Sequence, residues 1–133
     1  FVYSLWGEKH ISNSLASLMH EIFDLISAKY PEKVMCFAKD SDITAVALKK
    51  DVDENRLPPN KMNYFDAKKE HNVNGVQYYV STRYNREQGI GQLEKMLAVC
   101  EGNADALKMI SVPEKKKKNV INGKKGLDEL MNN

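Results

Sequence analysis

The sequence predicts an α+β domain in which a small antiparallel sheet with an Asn-Gly hairpin packs against two amphipathic helices. Three observations support this prediction. Apolar residues recur at helical spacing in a first segment, at Leu15, Leu18, Met19, Ile22, Phe23 and Ile26. A second segment repeats that spacing at Ile90, Leu93, Met96, Leu97 and Cys100. Between the two segments, Asn74-Gly75 separates two β-favouring stretches, which is the strongest short-range signal for a hairpin.

The N-terminal elements are a short strand and a long helix. "FVYSLWG" alternates apolar residues with small or polar ones and ends at Gly7, a pattern typical of a strand that enters a turn. Ser12 or Ser14 is suited to cap the first helix. Pro31 disfavours helical backbone at the residue before it, so the helix is expected to end by Lys29 or Tyr30.

The middle of the chain gives weaker signals. The apolar runs 33–38 and 42–50 are too short for periodicity to distinguish a strand from a helix, and we favour a strand over 43–48. Residues 51–61 contain Pro58-Pro59 and almost no apolar side chains, so a loop is expected there.

The hairpin is followed directly by the second helix. Val76, Tyr78, Val80 and Thr82 share the face expected to point inward, while Gln77, Tyr79, Ser81 and Arg83 share the outward face. Asn85 and Gln88 have the spacing of a capping box, and Gly102 is expected to end the helix. Gly89 and Gly91 each cost the helix about 1 kcal/mol relative to alanine. We expect these two small residues to allow close packing of the helix on the sheet.

The end of the chain differs from the rest in charge. Residues 103–112 are expected to add one or two helical turns and to complete a single domain over 1–112. Residues 113–133 are expected to form a basic tail with a short terminal helix. The stretch 114–133 holds six lysines against three acidic residues, whereas the first 113 residues hold 14 basic and 15 acidic residues. The neutral body argues against a broad phosphate-binding surface on the folded part.

Composition indicates a soluble, cytoplasmic protein. Apolar residues make up 42% of the chain and charged residues 29%, and no apolar run approaches the roughly 20 residues that span a bilayer, so no membrane contact is expected. Cys36 and Cys100 lie in apolar surroundings without metal-ligand spacing, which favours buried small hydrophobes in a reducing compartment over a disulfide or a nucleophile. The start at Phe1, with no signal peptide, favours a domain of a larger parent chain.

Motifs for catalysis are weak, so the sequence favours a non-catalytic domain over an enzyme. No HExxH, GxSxG or P-loop pattern is present, and "GIG" at 89–91 lacks the spacing of a dinucleotide-binding turn. We therefore predict no catalytic residues, no metal ligands and no cofactor. The alternative is a metal-dependent nuclease or nucleotide-using enzyme fragment, in which clustered carboxylates hold a divalent cation. The candidates would be Asp40, Asp42, Asp51, Asp53 and Glu54, which also fit a solvated acidic loop.

The candidate binding residues are aromatic and basic. Tyr79, Arg83 and Tyr84, beside Tyr78, combine rings that stack on bases with a guanidinium that contacts phosphate, although cross-strand packing of aromatic residues gives the same pattern. A flexible lysine run would add phosphate contacts that do not depend on sequence. These lysines are Lys115, Lys116, Lys117 and Lys118. The expected partners are DNA or another protein.

Three stretches, taken in their order along the chain, resemble a known kind of module. They are "FVYSLWGEKHISNSLASLMHEIFDLISAKYPEK", "RLPP", and "NGVQYYVSTRYNREQGIGQLEKML". Over residues 1–101 this order resembles an uncharacterised module at the C-terminus of bacterial and phage proteins associated with restriction or DNA metabolism. The resemblance implies a cytoplasmic accessory domain and transfers no catalytic residue to this chain.

Overall fold

The computed structural model describes residues 1–111, and their fold is α+β, as predicted. The strands form two three-stranded antiparallel sheets, in the orders β2-β1-β6 and β3-β5-β4. The strands are β1 (Val2–Leu5), β2 (Glu8–Ile11), β3 (Val46–Leu48), β4 (Lys68–Val73), β5 (Val76–Ser81) and β6 (Leu107–Ser111). The helices are α1 (Leu15–Lys29), α2 (Val34–Lys39), α3 (Lys49–Asp53), α4 (Pro59–Met62) and α5 (Arg86–Glu101). Within residues 1–111, no helix has the length and apolar character needed to cross a membrane.

The first sheet begins with a hairpin whose second strand was not predicted. β1 and β2 are joined by Trp6 and Gly7, which have φ values of 51° and 82°. Such a pair of positive φ angles is typical of a type I′ turn, but tryptophan rarely adopts it. Tertiary contacts hold Trp6 there, because its indole nitrogen donates to Glu101 Oε2 at 2.7 Å and its ring lies 6.4 Å from that of Tyr30.

The prediction of helical turns over residues 103–112 was wrong, because this stretch contains strand β6. Gly102 ends α5 with a φ of 85°, and the chain then returns alongside β1. Leu107 pairs with Leu5 and is buried, and the backbone N–H of Trp6 donates to the Ala106 carbonyl. Pairing with the open edge of β1 therefore outweighs the local preference of this segment for helix.

Helix α1 has the predicted boundaries. Ser14 caps it by accepting from the backbone N–H of Ser17 at 3.1 Å, and Tyr30 follows its last residue. Its apolar stripe is fully buried, apart from Leu15, which is half-buried. Polar side chains of α1 reach both sheets: Glu21 accepts from the Tyr3 hydroxyl on β1 at 3.0 Å, and Asp24 contacts His71 on β4. The helix thus ties the two sheets together.

Segments 33–50 and 51–61 are more helical than the sequence indicated. Residues 34–39 form helix α2, while β3 lies within the favoured strand 43–48. The predicted loop contains α3 at its start and α4 near its end. Lys61 on α4 is only 4% exposed, and its ammonium donates to the Ala38 carbonyl at 2.8 Å. Burial lowers the pKa of Lys61 to about 8.

The second sheet contains the predicted hairpin, with φ values of 52° at Asn74 and 80° at Gly75. Tyr78 and Val80 are buried on the inward face, as expected. Ser81 was expected to face outward into solvent, but it is fully buried. Its hydroxyl donates to the Tyr64 carbonyl, so the turn that follows α4 covers this end of the outward face.

Helix α5 begins with the predicted capping box. Asn85 accepts from the backbone N–H of Gln88, and the Gln88 side chain accepts from the backbone N–H of Asn85. A methyl group at Gly89 would lie 3.1 Å from Met19 Sδ and 3.2 Å from Leu15 Cδ1, so this glycine permits the close approach of α1 and α5. The packing partner is therefore a helix rather than the predicted sheet.

Candidate nucleic-acid interface

Two adjoining grooves form a polar cleft between the turn after α4 and the first turns of α5. The grooves share Tyr64 and Gln88, and we call their union the Tyr64 cleft. The first groove has a volume of about 480 Å³ and is lined by Asn60, Asn63, Tyr64, Arg83 and Gln88. The second has a volume of about 210 Å³ and is lined by Thr44, Tyr64, Tyr84, Gln88, Gly91, Gln92 and Lys95.

A stacked pair of tyrosines lies where the grooves meet. The rings of Tyr64 and Tyr84 are 4.9 Å apart, with an interplanar angle of 13°. The Tyr84 hydroxyl is 2.7 Å from Thr44 Oγ1, and burial raises the pKa of Tyr84 to about 12. Tyr84 is therefore a neutral, fixed support, and Tyr64 lines both grooves.

Arg83 is held at the rim of the first groove by its Nη1 atom. This nitrogen donates to the Asn63 carbonyl at 2.9 Å and lies 3.2 Å from Asp66 Oδ2. The side chain is nevertheless 57% exposed. A guanidinium carries five N–H donors, so anchoring through one nitrogen leaves donors on the others for an incoming anion.

The rest of the lining offers both donors and acceptors. Asn60, Asn63 and Gln88 are exposed carboxamides, each of which carries an acceptor oxygen and two donor hydrogens. Lys95 is exposed, and its ammonium donates to the Asp42 carbonyl at 3.2 Å. Gln92 is buried beneath the second groove, where its amide bridges the Ala45 N–H and the Asp42 carbonyl. The wall at Gln92 is thus held by two hydrogen bonds, and the Gln88 oxygen is held by the capping box.

The structure divides the predicted binding residues between two places. Arg83 and Tyr84 line the Tyr64 cleft. Tyr79 belongs to a separate cluster, in which its hydroxyl donates to Asp53 Oδ1 at 3.2 Å and the ammonium groups of Lys49 and Lys68 lie over its ring. Lys115, Lys116, Lys117 and Lys118 lie outside the described residues, as does the predicted terminal helix.

Several residues of the cleft were missed from the sequence. Tyr64, Asn60 and Asn63 lie in "PNKMNYFD", where two amides and an aromatic residue follow the prolines of the predicted loop. That composition was a usable signal for base contacts. Gln88 was recognised only as a capping residue. Nothing in the sequence places Lys95 beside these residues, since it lies about two turns of α5 beyond Gln88.

The acidic residues that would bind a divalent cation under the alternative enzyme hypothesis contact different partners. Asp51 pairs with Lys39, Asp53 with Lys49 and Tyr79, and Glu54 with Arg56. Within residues 1–111, no group of three or more histidine, cysteine or acidic side chains has the arrangement needed to hold a metal ion.

The exposure of Cys36 differs from expectation, and two histidines lie in direct contact. Cys36 was expected to be buried but is exposed, because it lies on the outer side of the short helix α2, and both Cys36 and Cys100 are free thiols. His20 and His71, distant in sequence, have ring nitrogens 2.9 Å apart, and His71 also contacts Asp24 Oδ1 at 3.0 Å.

Comparison with known proteins adds no relative: no family model, no curated protein and no solved structure matches this chain.

Proposed function

We propose that this chain is a non-catalytic accessory domain that associates with nucleic acid and that the Tyr64 cleft is its contact surface. The observation that supports the proposal most strongly is the convergence of three kinds of group on one cleft. An aromatic face at Tyr64 is suited to stacking on a base, exposed carboxamides are suited to base edges, and the Arg83 guanidinium is suited to phosphate.

The charges of the cleft indicate that attraction to phosphate supplies only part of the binding free energy. Arg83 is balanced in part by Asp66, and Lys95 contacts only a backbone carbonyl among the described residues. Since the first 113 residues are close to neutral, phosphate attraction from the body alone is small. Affinity is therefore expected to depend on stacking and hydrogen bonding as well as charge, and to increase with the lysines of the tail.

The test is fluorescence anisotropy with the full chain and a labelled single-stranded oligonucleotide of mixed sequence at low salt. Arg83→Ala and Tyr64→Leu are each expected to weaken binding by about 5-fold to 100-fold, because stacking and charged contacts are worth about 1–3 kcal/mol each. Tyr79→Leu is the matched control, since it removes a tyrosine outside the cleft, and it should leave the affinity nearly unchanged.

Circular dichroism and thermal melting distinguish loss of binding from loss of fold. If the parent chain shows no association at low salt, the nucleic-acid proposal is wrong, and a protein-interaction module becomes the better hypothesis. Equal losses in Tyr64→Leu and Tyr79→Leu would place the contact surface on the whole outer face of the sheet instead of the cleft.

A further inference from the structure

Helix α5 contains two glycines in its first two turns, and the structure explains only one of them. Gly89 is required because a side chain there would press on Leu15 and Met19 of α1. A methyl group at Gly91 would have no atom within 4 Å, and Gly91 does not have a positive φ. Neither packing nor backbone conformation therefore requires glycine at position 91, although glycine inside a helix destabilises it relative to alanine.

Gly91 lies on the wall of the second groove of the Tyr64 cleft. Tyr84 and Thr44 stand on one side of it, and Lys95 lies one turn further along the same helix. Without a side chain at position 91, the helix backbone itself forms that part of the wall. Absence of a Cβ is the usual means by which a backbone admits the close approach of a ligand.

We propose that the second groove accepts a single unpaired nucleobase, which packs one face against the α5 backbone at Gly91. This inference rests on the proposed function and adds to it the class of partner. The groove, at about 210 Å³, is less than half the volume of its neighbour, about 480 Å³, so it suits one ring system while the larger groove holds the adjoining backbone near Arg83.

The groove also discriminates between forms of nucleic acid. In a duplex the bases are stacked and paired, so a base reaches a pocket only after it is extruded from the stack, which costs free energy. A single strand offers its bases without that cost. The domain is therefore a single-strand binder, and Lys95 lies at the groove, where it contacts the backbone of the same nucleotide.

The test combines affinity with stability for three variants of the full chain. Gly91→Ala is expected to raise the melting temperature by about 3 °C, because alanine favours helix, and to weaken single-strand binding about tenfold, because it narrows the groove. Gly91→Leu should abolish the base contact more completely. Ala98→Leu is the control, since it places the same leucine side chain at an exposed position of α5 outside the cleft.

If Gly91→Ala is more stable than the parent chain but binds single strands less tightly, glycine at position 91 serves ligand binding and not folding. Unchanged affinity in both Gly91 variants, with the parent chain still binding single strands, would overturn the inference and leave the proposed function standing. Equal affinity of the parent for a duplex and for a single strand would also overturn the inference alone. Absence of any binding by the parent would overturn both.

Discussion

Asp24, His71 and His20 form a hydrogen-bonded chain that links α1 to β4. The distances are 3.0 Å from Asp24 Oδ1 to His71 Nδ1 and 2.9 Å from His71 Nε2 to His20 Nδ1. Phe23 packs edge-on against the His71 ring. Burial lowers the pKa of both histidines, to about 4 for His20, with a further contribution from the charge of Lys69, while Asp24 opposes the change. The pair is therefore neutral at physiological pH.

The lowered pKa values of these two histidines predict that the folded protein loses stability in mild acid. Between the unfolded pKa of about 6.5 and the folded pKa of about 4, the unfolded chain binds protons that folded His20 does not. The contribution to stability is complete above pH 6.5 and declines as the pH falls toward 4. His20→Asn, which retains a hydrogen-bonding atom near Nδ1, should lose less stability over this window in urea unfolding.

His10→Asn is the control for that experiment, because it removes a histidine that lies on β2, away from the pair. The control should lose stability with falling pH as steeply as the parent chain. Identical pH profiles for His20→Asn and the parent would contradict the role given to the pair.

At the scale of elements, the two long helices are joined through a glycine contact near their N-termini. Leu15 stands at the first position of α1 and Gly89 at the fourth position of α5, and the missing side chain lets the two helices meet. The predicted spacing of apolar residues identified both helices and their faces. It did not show that α5 approaches α1 at this point, because periodicity describes one helix at a time.

Gly89→Val should destabilise the domain by about 1–3 kcal/mol, since overpacking of a well-packed contact costs that much. A single methyl group would already lie 3.1 Å from Met19 Sδ and 3.2 Å from Leu15 Cδ1, so a larger side chain would displace these two residues. Chemical denaturation measures the loss. Gly91→Val is the matched comparison, because the same side chain meets open space there and valine forms helix slightly better than glycine. An equal loss in both variants would mean that packing against α1 is not responsible.

At the scale of the whole molecule, the net positive charge is concentrated in residues 114–133. The described residues are nearly neutral in sum, while 114–133 carry six lysines against three acidic residues. If the cleft supplies base contacts, then most counterion release on binding comes from the tail. The two parts of the chain are then expected to contribute differently to affinity and to its salt dependence.

Replacement of Lys115, Lys116, Lys117 and Lys118 by glutamine in the full chain tests this division. For single strands, each phosphate contact contributes roughly 0.7 to the slope of log affinity against log salt. The fourfold variant should flatten that slope by up to about 3, whereas Arg83→Ala should flatten it by less than about 1. An unchanged slope in the fourfold variant would show that the tail does not contact phosphate.

Local chemistry determined the elements whose signals lie within a few residues. The cap at Ser14, the capping box of Asn85 and Gln88, and the turn at Asn74-Gly75 all depend on neighbours in sequence, and all were predicted. Strands β2 and β6 were not predicted, because each forms only when β1 is present to pair with it.

The residues of the candidate site are divided in the same way, into those that the sequence indicated and those that only the structure brought together. Composition alone drew attention to Tyr79, Arg83 and Tyr84, but only the tertiary structure removed Tyr79 from this group and added Tyr64, Gln88 and Lys95. The burial of Ser81 follows from the turn after α4, whose Tyr64 carbonyl accepts from the Ser81 hydroxyl. Sequence determined α1, α5, the β4-β5 hairpin and their caps because those depend on short-range hydrogen bonds and periodicity. Tertiary structure decided the pairing of β1 with β6 in the first sheet and the cleft because their contacts join residues far apart along the chain.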